Sequence, residues 1–196
     1  MTLKTIKHNI MVDLETLSTA HNAAILTIGA VEFGLPHGFA NKCKFFYDKV
    51  IPESIDTKLF DIDKTTLTWW DKQPSTVRVE AFSGTKHIED VLISFNNWLR
   101  NNFVRTDATV KSEVLLWSKG ADFDCKILAS AMETYGIDFA VDFRNYRCAR
   151  TVMEMMPKAL LKLIPPNDYF RHNALADAQY QAKVIDVALN NINWNK

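Results

Sequence analysis

The sequence predicts an α/β fold: a mixed sheet with helices on both of its faces. Two observations carry that prediction. Short apolar runs with strand character dominate before residue 50, and apolar residues recur at helical spacing after residue 85. Three strands in succession are then followed by helix, strand, helix, strand, helix, an order that lays helices against a sheet.

Each element has its own signal. Residues 9–14 read as the first strand, apolar on both faces. Residues 24–33 read as the second, bounded by Gly34-Leu35-Pro36, and residues 43–50 as the third. Short connections between them make an antiparallel meander. "DIDKTTLTWWDKQP" reads as a short helix stopped by Pro74. Ile88, Val91, Leu92, Phe95 and Leu99 then form one stripe of an amphipathic helix. Residues 114–117 are a compact apolar strand running through "SKGADFD" into a helix with Ile127, Leu128, Ala131 and Tyr135 on one face. Gly136 follows as its terminating residue. Residues 143–146 read as a last short strand, followed by a helix that stops before Pro157. The final helix carries Leu175, Ala178, Ala182, Ile185 and Leu189. No repeat, low-complexity tract or linker divides the chain, so residues 1–196 are expected to form a single domain.

Composition narrows the function. Hydrophobic residues make up 47% and charged residues 23%, which excludes a disordered chain. A formal net charge of zero argues against a broad, non-specific nucleic-acid binder. It is compatible with an enzyme whose acids hold cations while local lysines and arginines meet phosphates. Cys43, Cys125 and Cys148 are scattered, with no C-x-x-C, so free thiols are expected rather than a disulfide framework or a zinc knuckle. No apolar run approaches the ~20 residues needed to cross a bilayer. The stretch "MTLKTIKHNI" lacks a signal-peptide core, so a cytoplasmic protein with no membrane partner is expected.

The acids pose the chemical question. Asp13 and Glu15 are two apart on a strand, so both project from one face, where they repel each other. Strand ends meet solvent, and alone such a pair needs no function. Asp122 and Asp124 lie where a strand gives way to a helix. Acids there serve as caps and complement the helix dipole, a reading that suffices for Asp122. Asp124 follows an aromatic and can aim back over the sheet edge. His172 and Asp177 are five apart, and both can face one site if His172 precedes the first helical turn. Trp69 and Trp70 are adjacent on a helix, so they cannot be buried equally. Core packing accounts for at least one, and a stacking surface for a nucleobase is the alternative. Clustered carboxylates raise one another's pKa unless cations compensate, and oxygen ligands suit Mg²⁺ or Mn²⁺. Such a set of acids by itself points to a metal-dependent phosphoryl hydrolase.

In order, D-x-E on a first strand, F-D at a strand-to-helix turn and H-x-x-x-x-D near the C-terminus resemble the DEDDh family of 3′–5′ exonucleases, over residues 10 to about 185. The related group with Y-x-x-x-D would need tyrosine where Asn173 stands. The phrases "NAAILTIGAV", "TTLTWW", "GADFDCKIL", "RCART" and "HNALADAQYQA" resemble the phage and bacterial subgroup with exonuclease A of T-even phages and the nuclease domain of exodeoxyribonuclease VIII. Cys148 departs from it, standing where related sequences commonly carry an acid.

The resemblance implies a ribonuclease-H-like fold and two Mg²⁺ ions, with Mn²⁺ as substitute, held by Asp13, Glu15, Asp124 and Asp177. It implies His172 as general base and nucleoside 5′-monophosphates released singly from nucleic-acid 3′ ends. Thr16 and Leu17 stand where similar enzymes place a backbone donor and an apolar wedge at the terminal nucleotide. Trp70 and Phe123 are the candidate base contacts. Among Arg147, Arg150, Lys119 and Arg171, Arg150 is the first candidate for phosphate. The phage-type phrases favour DNA, with RNA as the alternative. A non-catalytic nucleic-acid-binding module and a ribonuclease-H-type endonuclease are the competing readings on the same fold.

Overall fold

A computed structural model describes residues 4–34, 43–106, 110–165 and 171–191. Strands β1 (Lys4–Thr16), β2 (Ile25–Phe33) and β3 (Phe45–Lys49) form the expected meander, antiparallel throughout. β4 (Arg105–Thr106) leads into β5 (Val110–Ser118), which runs parallel to β1 on its other side. β6 (Tyr146–Cys148) pairs in parallel with the far end of β5, giving the order β3-β2-β1-β5-β4 with β6 beside β5. The helices are α1 (Lys64–Asp71), α2 (Ser75–Phe82), α3 (Ile88–Phe103), α4 (Asp124–Thr134), α5 (Ala149–Met155), α6 (Lys158–Leu161) and α7 (Ala174–Asn191).

Side-chain alternation along β1 assigns each residue to a layer. Ile10, Val12 and Leu14 join Ile28 and Ala30 against α3 and α4, through Val91, Leu92, Phe95, Leu99, Ile127 and Leu128. Met11 faces the opposite layer with Val31, Phe33 and Trp117, covered by Ala178, Ala182 and Ile185 of α7 and Ala149 of α5. Asp13 and Glu15 continue the Met11 row, so both acids emerge on the α7 side of the sheet.

α1 ends at Asp71, ahead of Pro74 as expected, and Pro74 then occupies the cap position of α2, where proline's missing N–H is harmless. Two points differ from expectation. α2 was not foreseen: among its residues only Ala81 is buried, so it shows no apolar stripe. Residues 143–146 are not a strand. Phe143–Asn145 is a 3-10 turn closed by the Asp142 side chain, which accepts from the Arg144 N–H at 2.9 Å, and β6 begins at Tyr146. Among the described residues no helix is long and apolar enough to cross a membrane.

Candidate active site

Gly29 lies opposite Asp13 in the β1–β2 register, facing α7. A Cβ there would stand 2.2 Å from the Ala174 carbonyl carbon and the Leu175 nitrogen, so glycine is required for the start of α7 to rest on the sheet. That contact delivers His172 and Asp177 beside the strand acids. His172 has φ +62°, the left-handed conformation that histidine adopts more readily than most side chains. Its backbone N–H donates to Asp177 Oδ2 at 2.9 Å, which ties the loop to the first turn of α7.

Asp124 opens α4 and is only 4% exposed. β5 pairs with β1 only as far as Met11, and beyond that point the Leu14 N–H donates to Asp124 Oδ1 at 3.1 Å. The acid is thereby fixed between the two strand acids in sequence. Asp13 Oδ1 in turn accepts from Gln181 Nε2 at 2.7 Å. Ligand atoms of Glu15, His172 and Asp177 all lie within 4.8 Å of one another. These groups line a cleft of about 310 Å³ together with Asp13, Lys119 and Arg171.

The electrostatics match the crowding. Burial, then the charges of Asp124, Glu15 and Asp177, hold the Asp13 carboxyl well above the usual range. Burial, then Asp177 and Asp124, push Glu15 up to about 8. Burial pushes Asp124 up to about 7 against the Leu14 N–H that lowers it. Burial raises Asp177 as well, opposed by the His172 N–H. Burial lowers the His172 imidazole, which keeps it neutral and able to accept a proton. Among the described residues none donates a hydrogen bond to the Glu15 side chain, although Glu15 is 7% exposed. A half-paired set of buried carboxylate oxygens beside one imidazole fits hard divalent cations and not a thiolate-seeking metal. Asp13, Glu15, Asp124 and Asp177 are the groups that would hold them.

The expected substrate contacts divide. Leu17 is 4% exposed and belongs to the hydrophobic core, so it offers no wedge at the surface. Trp70 is likewise buried: its indole N–H donates to the Thr16 carbonyl at 2.9 Å and braces the turn after the strand acids. The neighbouring Trp69 is the accessible ring, 40% exposed and edge-on to His172 with centroids 4.9 Å apart. Thr16 and Phe123 line one groove with Trp69, although Phe123 also packs on the core. Thr16 Oγ1 is occupied in a 2.7 Å bond to the Ser18 carbonyl. Arg150 donates to the Lys119 carbonyl at 3.0 Å and lowers the pKa of Asp124, so it supports the rim of the site. Arg147 bonds to the carbonyls of Arg144 and Tyr146 instead. Gln181 was not among the expected residues, although its place four residues after Asp177 on a helix puts it on the same face.

Residues 8–189 match the family described as the 3′–5′ exoribonuclease Rv2179c-like domain. No curated protein matches the sequence. Solved structures with a similar fold include cell-death related nuclease 4 (CRN-4), at 16% identity and TM-score 0.60, covering 93% of this chain and 64% of that one. Another is the nuclease domain of 3′hExo, a DEDDh family member bound to rAMP, at 13% identity and TM-score 0.58 over 93% and 92% of the two chains. E. coli exonuclease I in complex with a dA13 oligonucleotide matches at 13% identity and TM-score 0.57. There the match covers 94% of this chain but only 41% of the larger enzyme. The chain belongs to the Rv2179c-like 3′–5′ exoribonuclease domain family and is a 3′–5′ exonuclease built on the ribonuclease-H-like fold of the DEDDh enzymes.

Proposed function

We propose that this chain shortens nucleic-acid 3′ ends by one nucleoside 5′-monophosphate at a time, using two divalent cations, Mg²⁺ or Mn²⁺, and His172 as general base. The observation that carries the reading is the gathering of Glu15, His172 and Asp177 within 4.8 Å, beside Asp13 and Asp124. The chemistry supplied by bound cations is Lewis-acid activation of an attacking water and stabilisation of the leaving 3′ oxygen. The chain's own residues do the rest. Gln181 and the Leu14 N–H hold Asp13 and Asp124 in place. His172, kept neutral by burial, accepts the water's proton as the new P–O bond forms and the bond to the 3′ oxygen breaks. Lys119 and Arg171 offer positive charge to phosphate from the cleft wall.

RNA 3′ ends are the first candidate substrate, on the strength of the exoribonuclease family description. DNA 3′ ends are the second reading, favoured by the phage-type phrases and by the oligonucleotide complex of E. coli exonuclease I. Discrimination depends on contacts to the 2′-OH. A matched panel of 3′-labelled single- and double-stranded RNA and DNA, with divalent metal or with EDTA, tests the proposal. Metal-dependent mononucleotide release from one class is expected. Cleavage inside a circular substrate, or binding without release in Mg²⁺ and in Mn²⁺, would overturn it.

A further inference from the structure

A polar chain outside the acid cluster ties the histidine loop to the other edge of the sheet. Asn173, the residue after His172, caps α7 by accepting from the Ala176 N–H at 3.0 Å through Oδ1. Capping needs only that oxygen. The amide nitrogen reaches sideways instead, to the Tyr47 hydroxyl at 3.1 Å and to Glu80 Oε1 at 3.4 Å. Tyr47 donates to the same Glu80 oxygen at 2.7 Å, and Lys49 Nζ lies 3.3 Å from it. Tyr47 belongs to β3 and stands in register with Gly29, the residue on which α7 rests. Glu80 belongs to α2. Gly84, just past α2, leaves no room for a side chain: its Cβ would meet the Val50 carbonyl oxygen at 2.0 Å, so the helix is pressed against the chain leaving β3.

Three donors from β3 and the α7 cap thus converge on one carboxylate oxygen from a helix that contributes nothing to the acid cluster. What they grip is the side chain of Asn173, which follows directly on a non-glycine residue in the left-handed region. Such conformations persist where the surroundings over-determine them, and they collect at working sites. We propose that Glu80, Tyr47 and Asn173 are positioning residues for the exonuclease reaction: by anchoring position 173 they fix where the His172 imidazole sits over Glu15 and Asp177. The inference rests on the reading of His172 as general base.

The test is a set of double-mutant cycles. Tyr47→Phe, Glu80→Ala and Glu80→Gln are made in the natural chain and in His172→Ala, with kcat and KM measured on a 3′-labelled oligonucleotide in Mg²⁺. Displacements near 1 Å can cost about 100-fold in rate. A fall in kcat of roughly tenfold is therefore expected for Tyr47→Phe and Glu80→Ala, with KM within about twofold. Glu80→Gln keeps an acceptor oxygen and should restore most of the rate. In the His172→Ala background the same changes should do nothing further. An equal fold-loss in both backgrounds, or an unchanged kcat in the natural one, would overturn the positioning role while leaving the base assignment standing. An undiminished rate in His172→Ala by itself overturns the base assignment and is read before any network variant is made. Circular dichroism guards against misfolding, and Tyr47→Phe removes a single oxygen where Glu80→Ala disturbs the helix surface.

Discussion

β1 carries two opposite environments on one strand. Towards α3 and α4, Ile10, Val12 and Leu14 are buried among aliphatic and aromatic side chains. Towards α7 the row starts apolar at Met11 and then turns acidic at Asp13 and Glu15. Burial stabilises the first face at roughly 25 cal/mol per Å² of apolar surface. On the second, burial works against the charged form of each acid, as the raised pKa values of Asp13, Glu15, Asp124 and Asp177 record. The difference teaches that apolar packing, over the whole first face and at the Met11 end of the second, holds the acids in an unfavourable but useful state.

The sharpest way to separate the two faces is Asp124→Asn, which keeps an acceptor for the Leu14 N–H but removes the charge. Nucleotide release should fall by at least ~10³-fold, the several kcal/mol expected from losing a cation ligand. The melting temperature should hold or rise, since one repelling carboxylate is gone. Near-full activity would remove Asp124 from the site. His172→Ala comes next, with a rate loss of about 10²–10⁴. The acidic limb of the pH–rate profile, expected below about 6.5 because burial lowers the imidazole pKa, should vanish with it. A limb that survives the substitution would break the base assignment.

Ile10→Ala probes the opposite face and should show the reverse pattern. Deleting a fully buried side chain costs about 2–5 kcal/mol of stability, read from the denaturation midpoint. Turnover per folded molecule should not change; a loss of turnover would couple the layers more tightly than their packing suggests. The smallest effect is in pH. Glu15 titrates near 4.5 when unfolded and near 8 when folded, so between those values the folded state holds the extra proton. Metal-free stability should therefore decline as pH rises through that window, and saturating Mg²⁺ should flatten the decline. A urea midpoint independent of pH without metal would contradict the buried-acid account.

Two pairings among the acids and the histidine could be read from the sequence because they are local, whereas Asp124 meets the strand acids only across 110 residues. Asp13 and Glu15 share a face by strand alternation, and His172 and Asp177 flank one helix start. Trp70 was misread because adjacency on a chain does not say which of two apolar neighbours turns inward, and Leu17 because a position carried over from a resemblance does not say whether its side chain is buried. Tertiary packing took Leu17 into the core and left Trp69 rather than Trp70 at the surface. The Glu80 network was illegible for a stronger reason: its bonds to Asn173 from Tyr47 and Glu80 span 126 and 93 residues. β1 also runs five residues earlier than its apolar pattern begins, since pairing with β5 continues through the polar stretch from Lys4 to His8.

Gly29 gives the enzyme an unusual vulnerability. The imidazole reaches its acids because a methyl group is missing from a strand that itself carries no ligand. Swelling that position by one carbon would act as a wedge under the last helix, lifting its leading end away from the sheet. Hydrolysis would then fall silent in a protein that still owns every acid and its histidine, a lesion of shape that an inventory of reactive groups would never reveal.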